Sequence, residues 1–391
     1  MSDIATTTDA KLMEGPAFVR MRPIDPLPPP VAASGAIGWL RQNLLSGPLN
    51  IALTILCVLL IVWIVPPLVK FLIIDAVWDG AGRADCLPRP GHPEVGACWA
   101  FIWDRINFFT YGFYPIDERW RVDVFFVLLA IGFGWMAWLD APRRDIGAIY
   151  FFVVMPVASF ILLLGWPLIG LARVPTTSWG GVLVTILVAA IGIVASLPIG
   201  IVLALGRRSK MPAVRLFSVI FIEFVRGVPL ITVLFMASVM LPLFVPETWS
   251  PDKLLRALVG VSLFASAYMA EVVRAGLQAI PKGQFEGAMS VGLSYWQAMR
   301  FIILPQALKI TIPNIVNTTI GLFKDTTLVF IVGIFDFLMT IESARVDPNW
   351  ATPVASTTGY AFAAIFYLIF CYGMSRYARF VEGRLAAGDK R

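Results

Sequence analysis

Residues 281–305 read PKGQFEGAMSVGLSYWQAMRFIILP, a polar, glycine-containing insertion set between two long apolar stretches. The stretch predicts two short helices: Gly292 can take the left-handed conformation that ends the first, and Ser294 with Gln297 forms a capping box that starts the second. Gly287, Ala288 and Gly292 are expected to keep one surface small, and Glu286 offers a charge at its edge. A helix with a small contact face can sit close in a partner's groove, so the insertion reads as a docking element between two membrane spans.

The rest of the chain supplies those spans. Of its 391 residues 58% are hydrophobic and 14% charged, and the mean hydropathy is +0.79. A soluble domain of this size needs more charge to cover its surface. Apolar runs long enough to cross roughly 30 Å of hydrocarbon recur, and backbone groups must be satisfied internally there, so helices are the expected spanning element. The strand alternation of an outer-membrane barrel is absent. Eight spans are expected at about 50–74, 122–139, 147–171, 179–206, 216–245, 256–276, 306–340 and 355–376.

The net charge of +6 reflects topology rather than nucleic-acid binding, because the basic residues are spread through loops instead of gathered on one surface. Arg207, Arg208, Lys210 and Arg215 crowd the loop after the fourth span, and Arg143 and Arg144 mark the loop after the second; the loop at 341–354 carries only Arg345. Both termini are then expected in the cytoplasm, consistent with Arg376, Arg379, Arg384, Lys390 and Arg391 near the end. The loop at 75–121 falls outside despite its arginines, since long translocated loops obey the charge rule weakly. Its aromatic half, Trp99 to Trp120, reads as a segment lying at headgroup level. Residues 1–47 show no apolar stretch followed by a cleavage site, so the first span is expected to act as the signal, and the tail with Pro26, Pro28, Pro29 and Pro30 reads as unstructured.

Cys57 and Cys371 sit in apolar segments as ordinary filling. Cys86 and Cys98 share the external loop and can close a disulfide if that loop faces an oxidising compartment. His92 lies between them, but the loop supplies too few ligands for a metal site, and none is expected.

Glu286, Ala288, Gly292 and the Ile302-x-Leu304-Pro305 ending of the insertion resemble the EAA loop of bacterial ABC importer permeases, with Gly287 where that family usually has alanine. The stretches Ala267 to Arg274, Ile280 to Gln284, Glu223 to Leu230 and Phe323 to Leu328 are similar to those of polar amino-acid permeases. The likeness covers about 176–391. The additional N-terminal spans and the length resemble the AapM or BztC type of subunit. The resemblance implies an all-α membrane protein with a type I ABC importer core of five helices after three N-terminal helices. It divides the chain into a Pro-rich cytoplasmic tail (1–48), a three-span extension with external loop 75–121 (49–175), and a permease core with coupling loop 281–305 (176–391).

The same resemblance implies an inner-membrane transport subunit for polar or general L-amino acids, not an enzyme. Its implied partners are a related AapQ- or BztB-like permease, an ATPase dimer and a periplasmic amino-acid-binding protein. No Gly-x-x-x-x-Gly-Lys-Ser/Thr loop occurs in the chain, so ATP and Mg are expected on the separate ATPase and no cofactor on this chain. Glu286, Gly287, Ala288, Gly292, Ile302, Leu304 and Pro305 are the expected ATPase-coupling residues.

Ionisable groups within hydrocarbon are expensive, so they pair or line an aqueous path. Glu223 with Arg226, and Glu271 with Arg274, are three apart on a helix and can meet on one face. Lys324 and Asp325 point in different directions, and each is expected to find a partner on another helix. Glu271, Arg274 and Lys324 read as structural ion-pairing groups. For a zwitterionic amino acid, Asp325 or Glu223 can take the ammonium, and Arg226, Thr326 and Thr327 the carboxylate, with a kink at Pro229 freeing backbone groups. An ion-coupled secondary transporter is the alternative, disfavoured by the lack of a repeat between the two halves. A channel lacks a repeated filter segment, and an intramembrane enzyme lacks a metal cluster or a nucleophile with a base.

Overall fold

The computed structural model describes residues 35–90, 93–246 and 250–388. The Pro-rich tail with Pro26, Pro28, Pro29 and Pro30, the single His92, and Lys390 and Arg391 lie outside the described residues. Among the described residues the backbone is helical, with isolated bridges as the β pairing. Seven helical runs are long and apolar enough to cross a bilayer, and a sharply bent pair makes an eighth. The all-α, eight-span architecture read from hydropathy is the one observed.

The chain separates into two compact units, Met1–Val69 and Lys70–Arg391. In the first, α1 (Gly35–Asn43) leads to α2 (Pro48–Val69), and the Thr54 hydroxyl donates to the Leu44 carbonyl at 2.9 Å. No residue of α2 is buried. A helix apolar on every side needs hydrocarbon around it, and here that solvent is lipid.

The second unit holds α3 (Trp99–Tyr111), α4 (Trp120–Ala137), α5 (Arg144–Ile149), α6 (Met155–Leu164), α7 (Val182–Arg207), α8 (Pro212–Gly227), α9 (Leu230–Phe235), α10 (Leu241–Phe244), α11 (Lys253–Ala279), α12 (Lys282–Ser290), α13 (Tyr295–Ala298), α14 (Leu304–Asp325), α15 (Phe337–Ala344) and α16 (Pro353–Gly388). The core forms around α11, which packs on α7, α8, α9 and α14. Lipid is as apolar as leucine, so helices in it associate by close contact rather than by escape from water. That explains the composition of the facing stripes: Gly192, Ser196, Gly200 and Ala204 on α7 and Ser262, Ser266 and Ala270 on α11 recur every fourth position, and all are buried. A Cβ at Gly200 would stand 2.9 Å from Met269 Cβ.

The structure corrects several boundaries. The fifth span is two helices, α8 and the run from Leu230 to Phe244, bent by 106°. Pro229 lacks the N–H that would carry α8 forward, and Val228 before it is extended. The third span stops at Leu164 instead of 171, where Gly165 leaves helical geometry. The predicted seventh span 306–340 ends earlier: α14 tightens into a 3-10 turn at Thr326–Val332, Gly333 turns left-handed, and α15 starts afresh with the Asp336 carboxylate accepting from the Leu338 and Met339 amides. The aromatic segment after Trp99 does not lie free at a surface. Phe101, Ile102 and Phe109 of α3 are buried with Phe337 and Ile341 of α15 and Ala355 and Ala363 of α16. The boundary near 175 marks no separation in packing either, since Val122, Phe125 and Leu163 share one cluster with Leu183, Val261 and Leu322.

Cys86 and Cys98 are bonded, with Cα atoms 5.8 Å apart. Just before Cys86, the Ala81 amide, at 2.8 Å, and Arg89 hold the Asp85 carboxyl below its usual range. The Cys98 amide donates to Thr358 Oγ1 on α16 at 2.8 Å, Trp350 Nε1 to Asp104 at 2.8 Å, and Arg105 pairs with Asp347 at 2.8 Å. Closing a loop of this size stabilises its folded form by about 3 kcal/mol. Cys86→Ser is therefore expected to leave the spans intact while making the segment around Ala84 and Pro88 cleavable by protease added to the purified protein. Unchanged protection would show that the polar ties to α16 and to the stretch before it suffice alone.

Candidate coupling loop and membrane charges

The loop that follows α11 is built as two capped helices. α12 ends as Gly292 enters the left-handed region at φ 82, with its amide on the Met289 carbonyl at 3.0 Å and the Leu293 amide on the Ala288 carbonyl at 3.3 Å. The capping box at Ser294 and Gln297 is formed in both directions and starts α13. A wide turn through Met299–Ile303 then joins α13 to α14 without a break.

What fastens this loop is apolar. Met299, Ile303 and Ala307 are buried with Met269, Val273, Leu277 and Ile280 at the end of α11, and Phe285, Ile302 and Leu304 pack against the cluster half-buried. Gln306 Nε2 reaches Gln284 across the loop at 3.2 Å. Ile302 and Leu304 thus hold the loop to its own chain instead of offering it to another, whereas Pro305 stays exposed. The small surface expected of Gly287, Ala288 and Gly292 is also divided. Ala288 is 2% exposed and faces inward, while Gly287 and Gly292 stand in open space. Adjacent helical residues point about 100° apart, so Gly287 and Ala288 cannot share one face.

The outward surface consists of residues the sequence reading passed over: Val291 at 73% exposed and Trp296 at 69%, with Met289 and Tyr295 beside them in sequence. Glu286 is exposed and makes no ion pair among the described residues. The signal for this surface was available, since four large apolar residues in a polar loop have no reason to be there unless something covers them.

Inside the bundle the charges pair differently from the local spacing. Glu223 takes Arg207 from the end of α7 at 2.7 Å rather than Arg226. Glu271 gathers three guanidiniums, with Arg274 hydrogen-bonded to it, Arg207 at 3.6 Å and Arg226 at 3.7 Å. Arg226 also lies over the Tyr268 ring at 5.5 Å. α8 packs directly on α11, which sets Arg226 beside Glu271. Arg207 was read only as a topology marker, and nothing in its own neighbourhood of sequence reveals the partner.

Lys324 and Asp325 depart from expectation in the opposite sense. Lys324 is exposed, Asp325 is half-buried, and neither makes an ion pair among the described residues. Lys324 suits the negative end of the α14 dipole, whereas Asp325 opposes it. The Thr326 hydroxyl donates to the Phe323 carbonyl at 2.7 Å and the Thr327 hydroxyl to the Lys324 carbonyl at 2.9 Å, so both protons are engaged within the turn. The 3-10 turn that follows Asp325 packs against α9, the helix that begins at the Pro229 bend. Two interrupted spans therefore meet at one place.

The chain is similar to known proteins. Residues 196–387 match the family of binding-protein-dependent transport system inner membrane components. The inner membrane amino-acid ABC transporter permease protein YhdY of Escherichia coli strain K12 is 50% identical, over 93% of this chain and 96% of its own. The chain belongs to this family of ABC transporter permeases. A second relative, the glutamate/glutamine/aspartate/asparagine transport system permease protein BztC of Rhodobacter capsulatus, is 40% identical over 95% of this chain and 99% of its own. A solved chain from the crystal structure of an amino acid ABC transporter with histidines is 26% identical, with a TM-score of 0.46 over 52% of this chain and 92% of that one. As an ABC permease, the chain is an inner-membrane transport subunit and not an enzyme, and such subunits work with an ATPase and a binding protein.

Proposed function

We propose that this permease imports polar or general L-amino acids delivered by a periplasmic binding protein, paired with a related AapQ- or BztB-like permease and driven by an ATPase dimer that binds ATP and Mg. The observation that carries the proposal is the 281–305 loop, an exposed apolar tip on a base fused to α11 and α14. A rigid element of that kind passes a displacement to the spans instead of absorbing it. Glu286, Gly287 and Gly292, together with Met289, Val291, Tyr295 and Trp296, meet the ATPase. Ala288, Ile302, Leu304 and Pro305 belong to the base. In this reading the loop and both termini are cytoplasmic, 176–391 is the translocating core, and 49–175 is an added module whose outer segment braces α15 and α16. The amino-acid names of the relatives support the cargo class.

The substrate sits where the two interrupted spans meet. Asp325, half-buried at a helix C-terminus with no ion-pair partner among the described residues, receives the ammonium, since the dipole and the carboxylate both favour positive charge there. The amides freed at the Pro229 bend receive the carboxylate together with Arg226. Thr326 and Thr327 shape the turn and join only by releasing their carbonyls. Glu223, Glu271, Arg274 and Arg207 form the fixed ion pairs beneath. Lys324 points about 100° away from Asp325 on the same helix end.

The whole complex reconstituted in liposomes is expected to show ATP-dependent, vanadate-sensitive uptake of polar amino acids. Uptake that persists without ATP would sink the assignment. In the same assay Trp296→Glu should lower uptake by about 30-fold, the scale of an anchoring aromatic lost from an interface. Glu286→Lys should lower it less, and the binding protein's affinity for its amino acid should be unaltered in both. Normal uptake by Trp296→Glu would remove the loop's tip from the docking surface.

A further inference from the structure

Beside the coupling loop lies a cavity of about 480 Å³ lined by Arg207, Arg208, Arg215, Val219, Arg274 and Gln278. Its four guanidiniums come from three directions: Arg207 ends α7 and Arg208 follows it, Arg215 stands on α8, and Arg274 stands on α11. The carboxylates within reach are those of Glu223 and Glu271, which hold Arg207 and Arg274. Arg208 and Arg215 have no carboxylate among the described residues. Arg208 donates to the Leu277 carbonyl at 3.0 Å and lies over the Phe285 ring at 5.4 Å. Arg215 has no side-chain partner among the described residues. Two positive charges therefore line this cavity without compensation.

We infer that this cavity is a binding site for a phosphate-bearing anion. Guanidinium forks converging from several helices match the several oxygens of a phosphate, each fork able to donate two parallel N–H bonds to two of them. The cavity's place on the cytoplasmic flank rests on the orientation proposed above, and there it faces a leaflet whose anionic headgroups attract basic residues. The occupant is a phospholipid headgroup or a free phosphate. Either one reaches the coupling loop through Arg208, whose guanidinium joins the end of α11 to Phe285 of α12. An anion drawing on Arg208 therefore bears on the packing of α12 against α11, so occupancy and the loop's attachment are linked.

The test uses the complete importer complex. It is purified from nanodiscs of phosphatidylcholine mixed with phosphatidylglycerol, and retained lipid is read by native mass spectrometry. In a second arm, thermal unfolding of the detergent-purified complex is followed in inorganic phosphate against chloride of equal ionic strength. The variants are Arg208→Gln and Arg215→Gln, with Lys210→Gln as the control, a cation on the same loop that does not line the cavity. Retention of phosphatidylglycerol that falls about fivefold with each arginine variant and holds in Lys210→Gln supports the site with lipid as its source. Stabilisation by phosphate that the arginine variants abolish, with no lipid retained, supports it with the free anion as source. Equal loss in Lys210→Gln, or neither binding signal in the assembled wild-type complex, overturns it. Neither arm depends on amino-acid uptake, so failure here is distinct from failure of the transport reading.

Discussion

Gly276→Val is expected to abolish uptake and to lower the amount of chain in the membrane. A Cβ at this position would stand 2.6 Å from the Ala307 carbonyl oxygen and 2.6 Å from Thr311 Cγ2. Neither can withdraw cheaply: the oxygen is backbone of α14 and accepts from Thr311 Oγ1 at 3.0 Å, which fixes the methyl as well. Replacing glycine in a helix otherwise gains roughly 1 kcal/mol of propensity. Forcing extra carbon atoms into a closed contact costs about 3 kcal/mol, so the clash wins, and Val exceeds Ala. The contact lies within the cluster that holds the coupling loop, to which Ala307 and Leu277 belong, so α11 and α14 would part where the loop is fastened. Abundance and thermal unfolding of the purified complex, followed for Gly276→Ala and Gly276→Val, read the effect directly. A Val variant that melts and transports like the wild type would mean that these helices are free to move apart.

Asp325→Asn is the second large effect, and it should leave the protein's amount and assembly unchanged. The carboxylate makes no ion pair among the described residues and sits at the helix end that repels it, so neutralising it relieves the resting protein. What is lost is the attraction for a bound ammonium. Removing one member of a desolvated charge pair costs roughly 2–5 kcal/mol, which is a fall in uptake of about 30-fold or more. Basal ATP hydrolysis should persist, while stimulation by the loaded binding protein should fall. The contrast with Glu223→Gln is informative, because Glu223 is engaged by Arg207 at 2.7 Å and its loss should act through abundance. Normal transport by Asp325→Asn would move the cargo site elsewhere, including to the sister permease.

Much of the architecture could be read from residue type alone. The two caps of the coupling loop need only Gly292, Ser294 and Gln297, because caps are made by neighbours in sequence. The phase of α12 was not legible, since nothing local says which side of Ala288 the bundle occupies. The same limit explains the charges. Spacing alone pairs Glu223 with Arg226, but Arg207 arrives at Glu223 from another helix and Glu271 on α11 draws Arg226. Pro229 announced a kink without announcing 106°. Asp336 was invisible as a helix start because hydropathy carries the seventh span straight through it.

The disulfide-bearing segment is made long before the helices that cover it. The bond from the Cys98 amide to Thr358 joins residues 260 positions apart. At about 5–20 residues per second of synthesis, the docking face on α15 and α16 emerges roughly 15–50 seconds after the segment it receives. The disulfide partners, by contrast, are only 12 positions apart and can meet while the ribosome is still producing the fourth span. The disulfide-bearing segment is therefore shaped in advance and completed last, when α16 arrives to cover it.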